Sequence, residues 1–379
     1  MSKIVIIGGV AGGATAAARL RRLDEQAEIV VIERTGFVSY ANCGLPYYVG
    51  GVIGDREDLT LQSPESFFSR FNIDVRVSSE VTAIDREHKT VTVFSHGEGR
   101  EYVESYDKLI LSPGAKAMIP NTPGVYSERV LTLRTVEDAL RMRELVETER
   151  PERAVVVGGG FIGVELAENF RELGLRVTIV EKQPQLLGQF DADMVSFLHA
   201  HLREKGVGLL LGRSVERFAE TADGIIVHTD GGALPQADMA VLAIGVTPEN
   251  TLSEAAGLEL GARGAIAVDA HMRTSDPDIY AVGDAVEVID RTTGRRTTVA
   301  LAGPANRQGR VAADNICSLP SVYRGAAGSS VLKVFDRTAA STGISERTAR
   351  GLGIDCAAVI LSPLSHASYY PGAQVMTLK

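Results

Sequence analysis

The chain has 379 residues, of which 45% are hydrophobic, and its formal net charge is −9. This length predicts two or three domains, and the negative charge argues against nucleic acid or an anionic membrane as a general partner. No apolar run approaches the roughly 18 residues of a membrane span, and the absence of an N-terminal signal pattern indicates a cytoplasmic protein. Three widely separated cysteines agree with a reducing compartment and give no spacing typical of metal ligands.

The first predicted elements form a strand–loop–helix–strand unit. Residues 3–7 and 28–32 are apolar strands, and an Ala-rich helix lies between them. The loop before this helix reads Gly8-Gly9-Val10-Ala11-Gly12-Gly13, which is close to the dinucleotide-binding fingerprint although Val10 replaces its second glycine. Such glycines bring the backbone near a pyrophosphate at a helix N-terminus, and Glu33 at the end of the second strand can accept from ribose hydroxyls. The unit therefore predicts a first dinucleotide site.

The helix of this unit carries Thr15, Arg19 and Arg22 on one face. A basic face of this kind is most often simply solvated. In an acidic protein it can also be a local stripe that binds phosphate groups. The residues alone leave both interpretations open.

A lone cysteine, Cys43, lies in the stretch Ser39-Tyr40-Ala41-Asn42-Cys43-Gly44-Leu45-Pro46. Residues 45–49 can open a helix with Pro46 in its first turn. Backbone N–H groups at the start of such a helix favour a thiolate, which attacks disulfides or peroxides. A buried structural cysteine is an equally good interpretation of this stretch by itself.

Several further elements precede the second half of the chain. The pattern predicts a helix over residues 59–71, a β-ribbon formed by residues 75–77 and 90–94, a strand over 106–112 that ends in Pro113-Gly114, and a helix over 135–148. These elements separate the first nucleotide-binding unit from the glycine-rich loop at residues 158–163.

The opening pattern then repeats. A strand over residues 154–157 leads into Gly158-Gly159-Gly160-Phe161-Ile162-Gly163, a helix over 164–173, a strand over 177–180, and Glu181. Two such units in one chain are the strongest architectural signal in the sequence, and they predict that the chain binds two dinucleotides. Glu181 would accept from a ribose 2′-OH and repel a 2′-phosphate, which favours NADH, although the neighbouring Lys182 weakens this prediction.

The last third contains a short apolar strand that ends in Gly283-Asp284. This Asp can accept from a polyol hydroxyl, or it can cap a helix. The pattern then predicts a helix over residues 301–316, strands over 330–335 and 340–343, a helix over 345–351 and a last strand over 357–361.

The order of glycine-rich loop, cysteine, second glycine-rich loop and the box at residues 279–284 resembles the pyridine nucleotide–disulfide oxidoreductases. A single cysteine, in place of a Cys-x4-Cys pair, resembles the branch that holds coenzyme A-disulfide reductases, persulfide and polysulfide reductases, NADH oxidases and NADH peroxidases. The resemblance implies an α/β fold of two Rossmann-like domains and a partial C-terminal α+β interface domain. It places the FAD domain at residues 1–114 and 255–322, the NAD(P)H domain at 115–254, and the part of the dimer interface at 323–379.

The same resemblance implies which residues bind each cofactor. For FAD they are Gly8, Val10, Ala11, Gly12, Gly13, Glu33, Arg34, Val81, Ser112, Gly114, Gly283, Asp284 and Ala302. For NAD(P)H they are Gly158, Gly160, Ile162, Gly163, Glu181 and Gly245. Asp284 would hold the flavin ribitol.

Within the branch, the cysteine stretch resembles the coenzyme A type. The resemblance implies Cys43 and Tyr369 as catalytic residues in a homodimer, with Tyr369 supplied by the partner subunit. The residues implied for coenzyme A are Thr15, Arg19, Arg22, Ser39, Asn42, Arg70 and Phe71. Peroxidases and many water-forming oxidases carry a His where this chain has Ala11, which argues against the alternative of an NADH oxidase or peroxidase. A flavoprotein electron carrier, in which Cys43 is incidental, is a further alternative.

Overall fold

The computed structural model describes residues 2–379, and the chain folds into two compact units. Unit 1 contains the residues up to Asn121, Val130–Pro151 and Val241–Gly328. Unit 2 contains Thr122–Arg129, Glu152–Ala240 and Ser329–Lys379. The domain boundaries expected from the sequence stay a prediction.

The regular elements are labelled in chain order. The helices are α1 Ala11–Leu23, α2 Leu45–Val49, α3 Pro64–Phe71, α4 Val136–Glu149, α5 Phe161–Glu172, α6 Ala192–Glu204, α7 Thr251–Ala255, α8 Ala302–Ile316 and α9 Glu346–Gly351. The strands of the first half are β1 Lys3–Ile7, β2 Glu28–Ile32, β3 Asp74–Arg76, β4 Ser79–Asp85, β5 Thr90–Ser95, β6 Arg100–Ser105, β7 Lys108–Leu111, β8 Ala115–Ala117, β9 Val130–Thr132, β10 Arg153–Val157 and β11 Arg176–Glu181. Those of the second half are β12 Gly208–Leu211, β13 Val215–Thr221, β14 Gly224–Thr229, β15 Gly232–Ala233, β16 Met239–Leu242, β17 Val246–Pro248, β18 Ile279–Ala281, β19 Val288–Ile289, β20 Arg296–Thr297, β21 Ser330–Val334 and β22 Arg337–Ser341.

Unit 1 is built on a five-stranded parallel sheet in the order β18-β7-β1-β2-β3. Strands β1, β2, β7 and β18 are largely apolar and mostly buried, as expected when both faces of a parallel sheet are covered, whereas the edge strand β3 is partly exposed. Helices α1 and α8 pack closely together at Gly309. A Cβ atom on this residue would lie 2.4 Å from the carbonyl oxygen of Gly12, so only glycine allows this approach. This close packing keeps α8 beside the first glycine-rich loop.

The predicted β-ribbon of residues 75–77 and 90–94 is wrong. Strand β3 joins the parallel sheet beside β2, and β5 lies between β4 and β6 in a separate antiparallel sheet. The short apolar run at residues 75–77 does not show by itself which neighbour it pairs with, since pairing depends on strands that are distant in sequence.

The predicted helix over residues 59–71 is too long at its start. Helix α3 begins at Pro64, because the Ser63 side chain accepts a hydrogen bond from the backbone N–H of Ser66 and caps the first turn. The residues before it form a short 3-10 turn, Arg56–Asp58, and an isolated bridge between Tyr40 and Thr60. No helix in the described part of the chain is long and apolar enough to cross a membrane.

Unit 2 repeats the strand–loop–helix–strand pattern. Strands β10, β11 and β12 are parallel and pair in that order, with α5 between β10 and β11. An antiparallel sheet of β13, β14 and β15 follows. The internal duplication predicted from the two glycine-rich loops therefore has the expected local structure in both units.

The C-terminal segment of unit 2 contains the β21–β22 hairpin and α9. The buried carboxylate of Asp191 accepts from the backbone N–H groups of Glu346 and Arg347, both at 2.9 Å, and so holds the start of α9. The predicted strand over residues 357–361 is wrong: the structure has only isolated bridges there, Leu361 with Leu378 and Leu364 with Val375. A strand needs a continuous partner, and these two bridges do not provide one.

Candidate functional site

The carboxyl ends of β1, β7 and β18 lie side by side in unit 1. Each of these ends carries one of the predicted flavin segments, namely the first glycine-rich loop, the Ser112–Gly114 turn and the Gly283-Asp284 pair. Ligands of open parallel sheets bind at this edge. The sheet order therefore brings together residues from the two ends of unit 1's sequence.

The first glycine-rich loop is tightly packed. Gly8 has φ +94°, in the left-handed region, and a Cβ atom there would lie 2.1 Å from the carbonyl oxygen of Ser112. A Cβ atom on Gly13 would lie 1.9 Å from the carbonyl oxygen of Gly8. Val10 occupies the N-cap position of α1, and no side chain caps this helix end. The N-terminus of α1 thus has the geometry of a phosphate-binding turn.

Glu33 lies under the same loop and is only 6% exposed. Its carboxylate accepts from the backbone N–H of Gly9 at 2.9 Å and from the N–H and hydroxyl of Thr35, both at 2.9 Å. These bonds fix the loop. A carboxylate has about four acceptor positions, so one position is left for a ribose hydroxyl.

Asp284 extends from the end of β18 and forms an ion pair with Arg134, whose Nη2 lies 3.0 Å from Oδ2. Burial raises the pKa of the Asp284 carboxyl, and Arg134 opposes that rise. The neighbouring Gly283 N–H donates to the fully buried Gln308 at 2.7 Å. The tight glycine turn, the buried acid Glu33 under it and the partly buried acid Asp284 fit the pyrophosphate, ribose and polyol of FAD.

The other residues predicted for FAD lie in unit 1 in varied surroundings. The backbone N–H of Ser112 donates to Ile7, and Gly114 has φ +74°. Arg34 lies 3.6 Å from a carboxylate oxygen of Glu249. Val81 is buried in β4, and Ala302 is the exposed first residue of α8.

Cys43 is exposed in a 3-10 turn, Asn42–Gly44, which leads directly into α2. The backbone N–H of Gly44 donates to Ala41, and that of Leu45 donates to Asn42. The turn itself therefore uses two of the amides that the sequence suggested could face the sulfur. Gly44 is closely packed, since a Cβ atom there would lie 2.9 Å from the end of the Leu59 side chain.

A cavity of about 290 Å³ opens in unit 1 between α1, α3 and α8. Five residues predicted for coenzyme A line it: Thr15, Arg22, Ser39, Arg70 and Phe71. Five further residues complete the lining, and the sequence reasoning missed them: Ala14, Ala18, Gln62, Phe67 and Arg310. We call this cavity the arginine pocket.

The arginine pocket is strongly basic. It contains Arg22, Arg70 and Arg310, and none of the described residues that line it carries a carboxylate. The guanidinium groups of Arg22 and Arg70 lie 6.0 and 5.5 Å from the ring centre of Phe71. Ser39 has φ +48°, unusual for a residue other than glycine, and such strain concentrates at ligand sites.

Two predicted coenzyme A residues do not line the arginine pocket. Arg19 forms an ion pair with Asp314, with Nε 2.8 Å from Oδ1. The side chain of Asn42 faces Arg134. Within the pocket, the hydroxyl of Thr15 donates to Asn306 at 2.8 Å. Arg310 lies on α8, far along the chain from the other lining residues, and no local pattern distinguished it.

The second glycine-rich loop lies in unit 2. Gly158 has φ +109° and its N–H donates to Val180, while Gly160 is the N-cap of α5, whose first turn contains Ile162 and Gly163. The Glu181 carboxylate accepts from the N–H groups of Gly159 at 2.6 Å and Gln183 at 2.7 Å. This arrangement repeats that of Glu33.

Two predicted residues lie outside these clusters. Tyr369 belongs to the C-terminal segment of unit 2 and is 90% exposed. Gly245, predicted for NAD(P)H, belongs to unit 1 and has φ +115°. Their roles stay predictions.

Comparison with known proteins shows which family has this geometry. A family described as "Pyridine nucleotide-disulphide oxidoreductase" matches residues 2–309. The chain belongs to this family. The coenzyme A disulfide reductase of Staphylococcus aureus strain JH9 is 33% identical over 380 residues, which cover the whole chain and 85% of that relative.

Solved structures agree. The reduced CoADR-RHD of Bacillus anthracis is 47% identical, with a TM-score of 0.97, and the match covers 99% of this chain and 68% of that one. An NAD-dependent persulfide reductase from A. fulgidus is 39% identical, with a TM-score of 0.95, over 99% of this chain and 70% of that one. A water-forming NADH oxidase from Lactobacillus brevis is 32% identical, with a TM-score of 0.94, and the match covers 100% of this chain and 83% of that one. Similarity of fold therefore does not show whether the electron acceptor is a sulfur compound or oxygen.

These findings confirm the predicted family and fold class, an α/β protein with two parallel sheets of the kind that bind FAD and NAD(P)H. The chain is a flavin-dependent NAD(P)H oxidoreductase of the group that contains the coenzyme A disulfide reductases. The family implies FAD and NAD(P)H as cofactors.

Proposed function

We propose that this enzyme reduces coenzyme A disulfide, or the persulfide or polysulfide of coenzyme A, through Cys43. The observation that carries this proposal is the arginine pocket, to which Arg22, Arg70 and Arg310 contribute three positive charges in a chain whose net charge is −9. One wall of that pocket is Ser39, four residues before Cys43. A basic pocket lined by a residue close in sequence to the thiol suits a substrate that carries phosphate groups at one end and sulfur at the other.

The chemistry of the pocket fits the nucleotide end of coenzyme A. Guanidinium groups bind phosphate oxygens through charge-assisted hydrogen bonds, and two or three of them can share a 3′-phosphate and a diphosphate. Phe71 offers a flat apolar face for the adenine ring. A small inorganic or alkyl disulfide would use none of these groups.

In the proposed reaction, the Cys43 thiolate attacks one sulfur of coenzyme A disulfide. A Cys43–S–S–CoA bond forms, and the first coenzyme A leaves as a thiolate. Cleavage of this mixed disulfide takes up two electrons, regenerates the Cys43 thiolate and releases the second coenzyme A. FAD, which the first glycine-rich loop, Glu33 and Asp284 would hold, would supply the redox chemistry that carries these electrons from NAD(P)H. In sum, NADH, one proton and one disulfide yield NAD⁺ and two thiols.

The chain also offers groups for the proton and for the nicotinamide nucleotide. We infer that Tyr369 of a partner subunit protonates or orients the leaving thiolate, as the family resemblance implies. Glu181, held by two backbone N–H groups, accepts from the ribose 2′-OH of NADH and disfavours the 2′-phosphate of NADPH.

The proposal is tested by anaerobic NADH consumption with coenzyme A disulfide, coenzyme A persulfide and hydrogen peroxide in parallel. We expect turnover with one or both coenzyme A substrates and little with peroxide. Cys43→Ser should keep the yellow bound flavin and lose disulfide reduction. The matched control is Cys356→Ser, which changes another exposed cysteine and should keep full activity.

The second candidate is an NADH oxidase or peroxidase that uses a Cys43 sulfenic acid. The likeness to the Lactobacillus brevis oxidase favours it, and Ala11, in place of the His that such enzymes carry, argues against it. Fast turnover with oxygen or peroxide, no turnover with coenzyme A substrates, and no effect of substitutions in the arginine pocket would establish this candidate instead.

A further inference from the structure

Arg134 lies where three segments of the flavin edge of unit 1 meet. Its Nε donates to the carbonyl oxygen of Ala115 at 2.9 Å, just after the turn that follows β7. Its Nη2 donates to the Asp284 carboxylate at 3.0 Å, at the end of β18. Its remaining nitrogen, Nη1, faces the side chain of Asn42, the residue before Cys43.

The Asn42 amide is held from two sides. With Oδ1 towards the Arg134 guanidinium, Oδ1 accepts from Nη1 at 2.9 Å and Nδ2 donates to the Arg134 carbonyl oxygen at 3.2 Å. This amide orientation is assigned from the hydrogen-bond network, because the opposite one places donor against donor and acceptor against acceptor. One arginine therefore engages both the donor and the acceptor of Asn42.

Arg134 is itself fixed in place. Its backbone N–H donates to Asp138 at 2.8 Å, and Thr135 and Asp138 form a capping box at the start of α4. Gly114, with φ +74°, leaves room for the guanidinium, since a Cβ atom there would lie 3.3 Å from Nη2. The arginine is thus a rigid link, as its fork of donors is pre-organised.

We propose that Arg134 is a positioning residue for Cys43. It sets the 3-10 turn Asn42–Gly44 relative to Asp284, and it acts on the thiol through the side chain of Asn42. The turn is only three residues long, and this amide ties its first residue to the segment that starts α4. The inference rests on the function proposed above and deepens it, because it concerns how the same thiol is held.

The test measures the thiol directly and uses no coenzyme A substrate. Flavin-loaded protein is treated with iodoacetamide, and alkylation of the peptide that contains Cys43 is followed by mass spectrometry across pH 6–9. Arg134→Lys, Asn42→Ala and the double variant are compared with the unchanged enzyme at matched flavin content. Lys keeps the positive charge but cannot form the fork, so this variant separates positioning from charge alone.

We expect each single substitution to slow alkylation of Cys43 about tenfold, the effect of losing one hydrogen bond to a charged group. The double variant should be no more than about twofold slower than either single one, since coupled residues are not additive. Amide exchange should also quicken in the peptide over residues 40–49 and stay unchanged in β10.

The matched control is Arg143→Lys, which changes an arginine on helix α4, the helix that Arg134 precedes. Arg143 holds the far end of α2 through the carbonyl oxygens of Tyr48, Ile53 and Gly54. The effect of Arg143→Lys on the rate of Cys43 alkylation should add to the effect of Asn42→Ala. Full additivity of the Arg134 and Asn42 substitutions, or a normal alkylation profile in Arg134→Lys, would overturn the proposal. Either result stands whatever the physiological disulfide is, so this test can fail while the proposed function holds.

Discussion

Replacing Arg310 with Ala gives the sharpest test of the arginine pocket. Arg310 reaches the pocket from α8 and is exposed to solvent, with no carboxylate among the other described lining residues. A hydrogen bond to a charged group contributes about 1.5–3 kcal/mol. Solvent exposure places Arg310 at the lower end of that range. We therefore expect KM for coenzyme A disulfide to rise about tenfold, with kcat nearly unchanged.

The assay compares coenzyme A disulfide with pantethine, which has the same disulfide and arms but lacks the phosphates and the adenine. Anaerobic NADH consumption is measured with each substrate at low ionic strength. If Arg310 binds phosphate, Arg310→Ala raises KM for coenzyme A disulfide and leaves KM for pantethine unchanged. The tenfold effect should shrink in added salt, because salt screens exposed charges.

Arg19→Ala is the matched control. Arg19 lies on α1, one turn before Arg22, but its guanidinium is paired with Asp314 at 2.8 Å. We expect Arg22→Ala to behave like Arg310→Ala, and Arg19→Ala to change KM by less than about threefold. Equal losses with both substrates in Arg310→Ala, or a larger effect from Arg19 than from Arg22, would refute the reasoning.

Three further predictions concern other parts of the chain. Glu181→Ala should lower the ratio of kcat/KM for NADH over NADPH about tenfold, because it removes a hydrogen bond and a repulsive charge; an unchanged ratio in steady-state kinetics would contradict this role. Cys317 should react with iodoacetamide at pH 8 several times more slowly than Cys43, since burial raises the pKa of its thiol while Cys43 is exposed; peptide mass spectrometry would show equal rates if this is wrong. Asp278→Asn should lower the free energy of unfolding by about 1 kcal/mol at pH 7. Hydrogen bonds from Lys108 and then Lys89 lower the pKa of the Asp278 carboxyl, so its contribution is complete above about pH 4 and is lost as pH falls further. Urea unfolding at pH 7 and at pH 3.5 should show a smaller loss at the lower pH, and a loss that grows on acidification would contradict the assignment.

The sequence determined the features that rest on local spacing. The two glycine-rich loops, each between an apolar strand and a helix and followed by Glu33 or Glu181, predicted two nucleotide-binding units, and the structure has both. Turn geometry fixes these motifs within about six residues, so no distant contact is needed to recognise them. The helix after Cys43 was also visible, since Pro46 in a first turn is a local signal.

Pairing between distant segments was decided only by the tertiary structure. Residues 75–77 read as part of a ribbon, but β3 lies beside β2 in the buried sheet. Periodicity in the sequence predicts that a segment is a strand but not which strand it pairs with, because pairing depends on how the whole sheet is buried.

The same limit applies to the site. Arg19 and Arg22 look equivalent on one helix face, yet Asp314, 295 residues away, pairs with the first, while the second lines the pocket. Arg134 lies 150 positions from Asp284 and is also far along the chain from Asn42, and nothing near it in sequence indicates that it links them. The sequence shows which side chains are charged. Whether that charge is neutralised by a partner or left to bind a ligand depends on which remote residue the fold places within about 3 Å of it.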